Sequence, residues 1–259
     1  MMENLDRVRR VLTRLAQSAG LVRKEPDLDS YRLPAEQVAQ MRAAPPTEVH
    51  RAFFAVEKRP AHKWSHYLDV YDRYLAKFRG KPIVLFEIGV FDGGSLEMWR
   101  NYFGPEATIV GIDINPACAD RVDAPNVVRI GSQADRAFLK GLVEEFGRPD
   151  IVLDDGSHIA KHQRASFDIL FADVQVGGLY MVEDTHTSYW VDWDGGYRRG
   201  GTAIEQAKKL VDDQHAWYHR HDSPTRAHEQ VGAIHFHDSI IVIEKAKQAR
   251  PGMMSSNGS

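Results

Sequence analysis

From residue 62 onward the chain alternates short apolar runs with longer stretches of helical spacing, and this rhythm restricts its fold more than any other feature. IVLFEIG (83–89), TIVGID (108–113), NVVRI (126–130), DIVLDD (150–155) and GGLYMVED (177–184) have the length, apolar content and bounding turn residues of strands. HYLDVYDRYLAKF (66–78), SLEMWRNYF (95–103), ADRAFLKGLVEEFG (134–147), HQRASFDILFADV (162–174) and TAIEQAKKLVDDQHAWYH (202–219) repeat their apolar residues at helical spacing. Strands alternating with helices predict right-handed crossovers and a parallel sheet covered on both faces. VGAIHFH (231–237) and SIIVIEK (239–245) follow each other too closely for a crossover, so they predict a hairpin around His237 and Asp238 whose last strand runs antiparallel. The expected architecture is α/β: a doubly wound seven-stranded sheet, mostly parallel, with a C-terminal antiparallel hairpin.

The flanks read differently. In LDRVRRVLTRLA (5–16), Leu5, Val8, Val11, Leu12 and Leu15 recur at helical spacing above a basic face, as in a helix that packs on the domain or on a second subunit. Pro34, Pro45, Pro46 and Pro60 break the following stretch into short helical pieces. Residues 1–61 are therefore read as an N-terminal helical cap, 62–247 as the main domain and the small, polar 248–259 as a disordered tail. With 43% apolar residues the chain can build a sizeable core. A formal net charge of -3 leaves no overall field for nucleic acid or anionic lipid. Cys118 is the single cysteine, which rules out an intrachain disulfide and fits a reducing compartment. No apolar run is long enough to cross a bilayer, and the basic N-terminus lacks the apolar segment of a signal peptide. A cytoplasmic protein without integral membrane association is expected, with the N-terminal helix pointing to a homodimer or larger homo-oligomer.

FEIGVFDGGSLEMW (86–99) joins a strand to a helix through a glycine-rich turn. Gly89, Gly93 and Gly94 let backbone approach a ligand closely, and Ser95 is placed to cap the helix. The spacing is neither G-x-G-x-x-G nor a P-loop. Asp113 ends the second strand, where an acid can hold both ribose hydroxyls of an adenosine ligand. The competing reading is an ordinary tight turn.

VLDDGSHIAKHQR (152–164) crowds acids and histidines onto the end of the fourth strand. In an open parallel sheet ligands sit beyond the carboxyl ends of the strands. If strands four and five are neighbours, Asp155 stands beside Glu183 and Asp184, and three such carboxylates repel one another. A divalent cation removes the conflict, and all-oxygen donors point to Mg²⁺, with Mn²⁺ or Ca²⁺ as substitutes. Other readings stay open: Asp154 and Asp155 as helix caps, zinc on His158, His162 and His186, or a serine hydrolase using Ser157. With a cation on Asp155, the next turn aims His158 at whatever the cation binds. His158 would then be the general base for an acceptor alkoxide held on the cation. His162 and His186 read as support or rim residues.

The glycine turn with its Glu87-x-Gly89 step, followed by an acid after strand two, resembles the class I S-adenosylmethionine-dependent methyltransferases. DDGSH followed by VEDTHTSYW resembles more closely the metal-dependent sugar O-methyltransferases of the macrocin and mycinamicin type, whose relatives methylate rhamnosyl groups and the mannosyl groups of a methylmannose polysaccharide. The resemblance runs from about Trp64 to Lys245. It implies a Rossmann-like sheet and S-adenosylmethionine held by Glu87, Gly89, Gly93, Ser95, Asp113, Asp154 and Lys63, with Ser132 and Gln133 of IGSQAD (130–135) against the adenine. It also implies Mg²⁺ (or Mn²⁺) on Asp155, Glu183 and Asp184, and His158 as base. Lys63, Trp64, His66 and Tyr67 would help close over the cofactor, whereas Val70, Tyr71 and Tyr74 read as a core face. Catechol O-methyltransferases have a similar layout with lysine in place of His158, and that departure favours an aliphatic sugar hydroxyl. In TSYWVDWDGGYRRGGT (187–202), Tyr189, Trp190, Trp193, Tyr197 and Arg198 are acceptor-site candidates, because aromatic rings pack on sugar faces; a subunit interface is the other reading of that loop. The expected activity is methyl transfer to a sugar hydroxyl of a glycosylated natural product, glycolipid or polysaccharide. The rivals are a catechol or small-phenol O-methyltransferase, an NAD-binding oxidoreductase and a non-catalytic adenosine- or metal-binding module.

Overall fold

A computed structural model describes residue 11 and residues 28–221 and 225–256; Val11 apart, the helix expected over 5–16 lies outside the described residues. In chain order the regular elements are α1 (Ala35–Ala43), α2 (Glu48–Phe54), α3 (Ser65–Leu75), β1 (Val84–Ile88), α4 (Gly94–Phe103), β2 (Thr108–Asp113), β3 (Val127–Ile130), α5 (Arg136–Phe146), β4 (Ile151–Asp154), α6 (Ala160–Leu170), β5 (Leu179–Val182), α7 (Ala203–Gln214), α8 (Ala227–Gln230), β6 (Val231–His237) and β7 (Ile240–Lys245). Short 3₁₀ turns fill several connections, among them Thr185–Tyr189 and Val191–Trp193. No helix among the described residues is long and apolar enough to cross a membrane.

The seven strands form one sheet in the order β3-β2-β1-β4-β5-β7-β6. β1 to β5 pair in parallel, and β7 runs antiparallel between β5 and β6, as the tight C-terminal hairpin predicts. Period-two alternation sorts the core. Leu85, Ile109, Ile151, Leu153, Leu179 and Met181 face the layer that holds α3 and α4. Phe86, Val110, Ile112, Val152 and Tyr180 face the layer of α5, α6 and α7. Strand runs apolar on both faces are what a sheet covered twice requires. α2 belongs to the first layer: it buries Val49 and Ala52 in the same core as α3 and α4, and His50 is buried as well.

Local chemistry sets the helix starts. Asp135 caps α5 by accepting from the amides of Ala137 and Phe138, and Thr202 caps α7 by accepting from Glu205. α4 departs from expectation. Its cap is Gly93, left-handed at φ +87°, while the Ser95 hydroxyl turns inward and donates to Glu87 at 2.8 Å. The expected helix over 202–219 ends at Gln214, beyond which the chain continues as turns. Gln248, in the stretch read as a tail, is tied down by its amide to Glu229 and its side chain to the Val231 carbonyl.

Candidate active site

The strand order reverses between β1 and β4, and a crevice opens beyond the carboxyl ends of these two strands. The register pairs Ile88 with both Ile112 and Asp154, and Asp154 with Val182. Gly89, Asp155 and Glu183 therefore leave the sheet side by side. Gly89 has φ +97°, and a Cβ there would stand 2.1 Å from the carbonyl oxygen of Asp155. Only glycine lets these two turns meet.

A cleft of about 640 Å³ occupies this crevice. Lys63, Gly89, Ser95, Asp113, Ser132, Gln133, Asp155, His158 and Asp184 line it, so nine of the residues expected to hold the cofactor, the cation or the proton share one cavity. Glu87, Asp154 and Glu183 stand buried behind its wall. Gly93 lies off it, where a Cβ would meet the Arg121 carbonyl at 2.6 Å. The acceptor candidates Tyr189, Trp190, Trp193, Tyr197 and Arg198 are not part of the lining. Sequence reasoning passed over Phe91 and Ile114, apolar side chains 66% and 72% exposed that line the cleft next to the glycine turn and the second-strand acid. An apolar residue immediately after Asp113, where the strand has ended, was the available signal.

On one side of the cleft the turns are held by backbone. Asp113 accepts from the amides of Val90 (2.9 Å), Phe91 (3.3 Å) and Asn115 (2.8 Å). Burial works against its ionisation, but these amide donors outweigh it and hold the carboxyl below its usual range. Glu87 accepts from Ser95 and from Trp99 at 3.0 Å, and burial pushes it up to about 7. Asp154 accepts from Gln133 at 3.0 Å, from Tyr180 at 3.2 Å and closely from Ser166, and burial lifts it to about 6.

The other side is built from side chains. Lys63 is buried and donates to Asp155 Oδ2 at 2.5 Å and to both oxygens of Glu183 at 3.0 and 2.9 Å. Burial alone would lower its pKa, yet the charges of Asp155, Glu183 and Glu87 hold it above the usual lysine value. Burial, then the Asp155 charge, pushes Glu183 up against the pull of Lys63. Nearer the surface, Asp155, His158 and Asp184 offer ligand atoms that all lie within 4.8 Å of one another. His158 Nε2 is 3.6 Å from Asp184 Oδ2 and 4.0 Å from Asp155 Oδ1. His158 and Asp184 both occupy left-handed backbone, at φ +54° and +51°, a cost that recurs where side chains must be aimed. Trp64 Nε1 at 3.1 Å and the Tyr67 hydroxyl at 2.8 Å fix Asp184 Oδ1. His186 lies behind it, bonded to Ser239 and packed edge-on against Trp64 and Trp190. His162 pairs instead with Ser157 at 2.9 Å. The oxygens of Asp155 and Asp184 on a half-open cleft suit a hard divalent cation, with the His158 imidazole beside them, and His158 Nδ1 is buried without a hydrogen-bond partner among the described residues.

No protein-family model matches the chain. It is 37% identical over 206 residues to the 8-demethyl-8-alpha-L-rhamnosyl tetracenomycin-C 2'-O-methyltransferase of Streptomyces olivaceus, a match covering 74% of this chain and 54% of the relative. Against the mycinamicin VI 2''-O-methyltransferase of Micromonospora griseorubida the identity is 34% over 197 residues, covering 71% and 49%. The structure superimposes on the MycE methyltransferase of the mycinamycin pathway, solved with Mg, SAH and mycinamycin VI, with a TM-score of 0.70 at 25% identity, covering 87% of this chain and 65% of that one. The chain is a homologue of the sugar O-methyltransferases of the macrocin and mycinamicin type. The Rossmann-like methyltransferase fold that the resemblance implies is the fold of this homologue. The chain spans about half the length of the curated relatives it matches.

Proposed function

We propose that this homologue is an S-adenosylmethionine- and Mg²⁺-dependent O-methyltransferase acting on a sugar hydroxyl of a glycosylated natural product, glycolipid or polysaccharide. One observation carries the reading: the Asp155, His158 and Asp184 group stands at the lip of the same cleft that holds the Gly89 turn and Asp113. The names of the matched relatives, rhamnosyl and macrolide-sugar O-methyltransferases, and the Mg and SAH in the MycE complex support it.

When bound, S-adenosylmethionine supplies a methyl group made electrophilic by its sulfonium. Asp113 holds the ribose hydroxyls, and Ser132 and Gln133 meet the adenine beside Ile114. The Gly89 turn gives the cofactor a close approach to backbone. When bound, a divalent cation supplies positive charge that eases loss of the acceptor proton. Asp155, Glu183 and Asp184 are the carboxylates for it; Asp155 and Asp184 face the cleft, and Glu183 stands behind Lys63. His158 Nε2, 3.6 Å from Asp184 Oδ2, would accept the proton of an acceptor hydroxyl placed beside it, and S-adenosylmethionine would supply the methyl group for that oxygen. Trp64 and Tyr67 keep Asp184 aimed while this happens. Tyr189, Trp190, Trp193, Tyr197 and Arg198, on the loop after β5, form a wall for the acceptor outside the cofactor cleft. A catalytic unit over 62–247 with a helical extension over 1–61, a homo-oligomeric assembly and a cytoplasmic location complete the reading.

The test is transfer of a labelled methyl group from S-adenosylmethionine to rhamnosylated polyketides, with Mg²⁺ and with chelator. Metal-dependent labelling of the sugar is expected. Labelling of a catechol but of no glycoside would overturn the acceptor class, and absence of S-adenosylmethionine binding would overturn the reading as a whole.

A further inference from the structure

The tip of the C-terminal hairpin reaches the site. His237 pairs with Ile240, so Asp238 and Ser239 make a two-residue turn, and Ile241 pairs antiparallel with Val182. That register delivers Ser239 to the end of β5, where Glu183 and Asp184 leave the sheet. Ser239 stands in left-handed backbone at φ +62°. Glycine or asparagine takes that conformation readily in a hairpin turn, whereas serine does so at a cost, of the kind that recurs where a side chain is needed in place. What the serine adds is its hydroxyl.

The hydrogen bonds of Ser239 run to the neighbours of Asp184. Its carbonyl accepts from the Thr185 amide at 2.9 Å and lies 2.9 Å from the Tyr67 hydroxyl, which is itself 2.8 Å from Asp184 Oδ1. Its hydroxyl accepts from the His186 amide at 3.3 Å and is hydrogen-bonded to Nδ1 of the His186 ring. Any residue at 239 offers the carbonyl, but only a hydroxyl engages the ring. The ring has another partner within reach: Nδ1 is 4.0 Å from Asp184 Oδ1, the oxygen already held by Trp64 Nε1 at 3.1 Å and by Tyr67. A small turn would set His186 in competition with both and pull the carboxylate out of aim. Edge-on packing against Trp64 and Trp190, at centroid distances of 5.9 and 4.6 Å, fixes where the ring lies but leaves the partner of Nδ1 to hydrogen bonding.

We propose that Ser239 is a positioning residue for the site: its hydroxyl occupies His186 Nδ1 and keeps that ring off Asp184, so that Trp64 and Tyr67 alone aim the carboxylate into the cleft. That Asp184 is aimed at a divalent cation rests on the function proposed above; that Ser239 holds His186 away from it does not.

The experiment compares wild type, Ser239→Gly, His186→Phe and the double variant Ser239→Gly/His186→Phe. Glycine adopts φ +62° freely and keeps the carbonyl, so Ser239→Gly removes the hydroxyl alone. Phenylalanine keeps a ring between the two tryptophans and carries no nitrogen. Two quantities are read: Mn²⁺ affinity by electron paramagnetic resonance, and the indole N–H resonance of Trp64 in metal-free protein, assigned by its loss in Trp64→Phe. Ser239→Gly is expected to melt within about 3 °C of wild type, because relief of the left-handed backbone offsets the lost bond. It should bind Mn²⁺ about tenfold more weakly, as loss of a group that orients a ligand does, and shift the Trp64 resonance. In the His186→Phe background the same change should move neither quantity, the mark of a hydroxyl that acts through His186. If the His186→Phe variants do not fold, the Trp64 resonance of Ser239→Gly carries the test. An unmoved Trp64 resonance in Ser239→Gly overturns the proposal, as does an equal effect in both backgrounds. Melting lower by about 10 °C overturns it too, since the hydroxyl would then serve the fold and not the site. If wild type does not bind Mn²⁺, the divalent-cation reading falls, and the Trp64 resonance alone decides whether Ser239 holds His186 off Asp184.

Discussion

The two sides of the cleft reach order by different means. On the β1–β2 side, turns fix the site: Gly89 at φ +97° touches the Asp155 backbone, and Asp113 gathers three amides of its own and the neighbouring loop. On the β4–β5 side, order comes from side chains reaching across the fold. Lys63 meets Asp155 and Glu183, and Trp64 and Tyr67 meet Asp184. Away from Gly89, where any Cβ would clash, a backbone-built site tolerates changes of side chain and loses affinity in small steps. A site built from buried charges changes abruptly when one partner goes, because the remainder is left unpaired. The first suits a cofactor that is bound and released whole, and the second suits chemistry on a hydroxyl.

The largest effect that follows is on turnover. His158→Ala should lower kcat by about 10²- to 10⁴-fold, the usual contribution of a positioned base, while the Kd for S-adenosylmethionine measured by calorimetry stays within about twofold. A comparable loss of cofactor affinity would mean that the two sides are not separable. Next comes the support of Asp184. Tyr67→Phe removes one donor to Oδ1 without touching the cleft lining, and it should weaken Mg²⁺ binding by about tenfold, as loss of a group that orients a ligand does. Unchanged metal affinity in that variant would show that Trp64 alone aims Asp184. Smaller still, Asp113→Ala should raise the KM for S-adenosylmethionine about tenfold and leave the metal dependence as it was, since what is lost is charged hydrogen bonds to the turn and, on the proposed reading, to the ribose. A collapse of kcat there would contradict the division.

That division also explains what was legible in the sequence. The alternation of runs predicts the sheet because period two and period 3.6 are local signals, and it holds from β1 to the hairpin of β6 and β7. Gly89, Asp113, Asp155, His158 and Asp184 lie at strand ends, where topology alone converges them on one cleft. The links between helix α3 and the acids are of another kind. Tyr67 recurs at helical spacing with Tyr71 and Tyr74 and reads equally well as core, and nothing near it in the chain announces Asp184. Lys63 meets Asp155 only when the fold is closed. Ser95 shows the converse: a good capping residue at a helix start was diverted to a buried carboxylate, because Gly93 had already made the turn.

Asp154 joins the two sides, and its titration is the finest probe of the link. It ends β4, is fully buried, and accepts from Gln133 after β3 on one side and from Tyr180 and Ser166 on the other. Burial raises it from 3.8 to about 6 in spite of these donors. The native state therefore holds this proton more tightly than the unfolded chain does. The stability that the proton contributes is fully present below about 3.8 and is lost as pH rises through about 6. Asn cannot titrate, so Asp154→Asn should lose less stability than wild type between pH 4 and pH 7, by on the order of 2 kcal/mol. Slopes from denaturant titrations at intermediate pH are the quantity to compare, because the Asn amide must also find an acceptor and will shift the absolute stability. Ser166 can accept from it by turning its hydroxyl. If the two slopes coincide, Asp154 is reached by water and the two sides of the cleft are joined through solvent, not through a dry carboxylate.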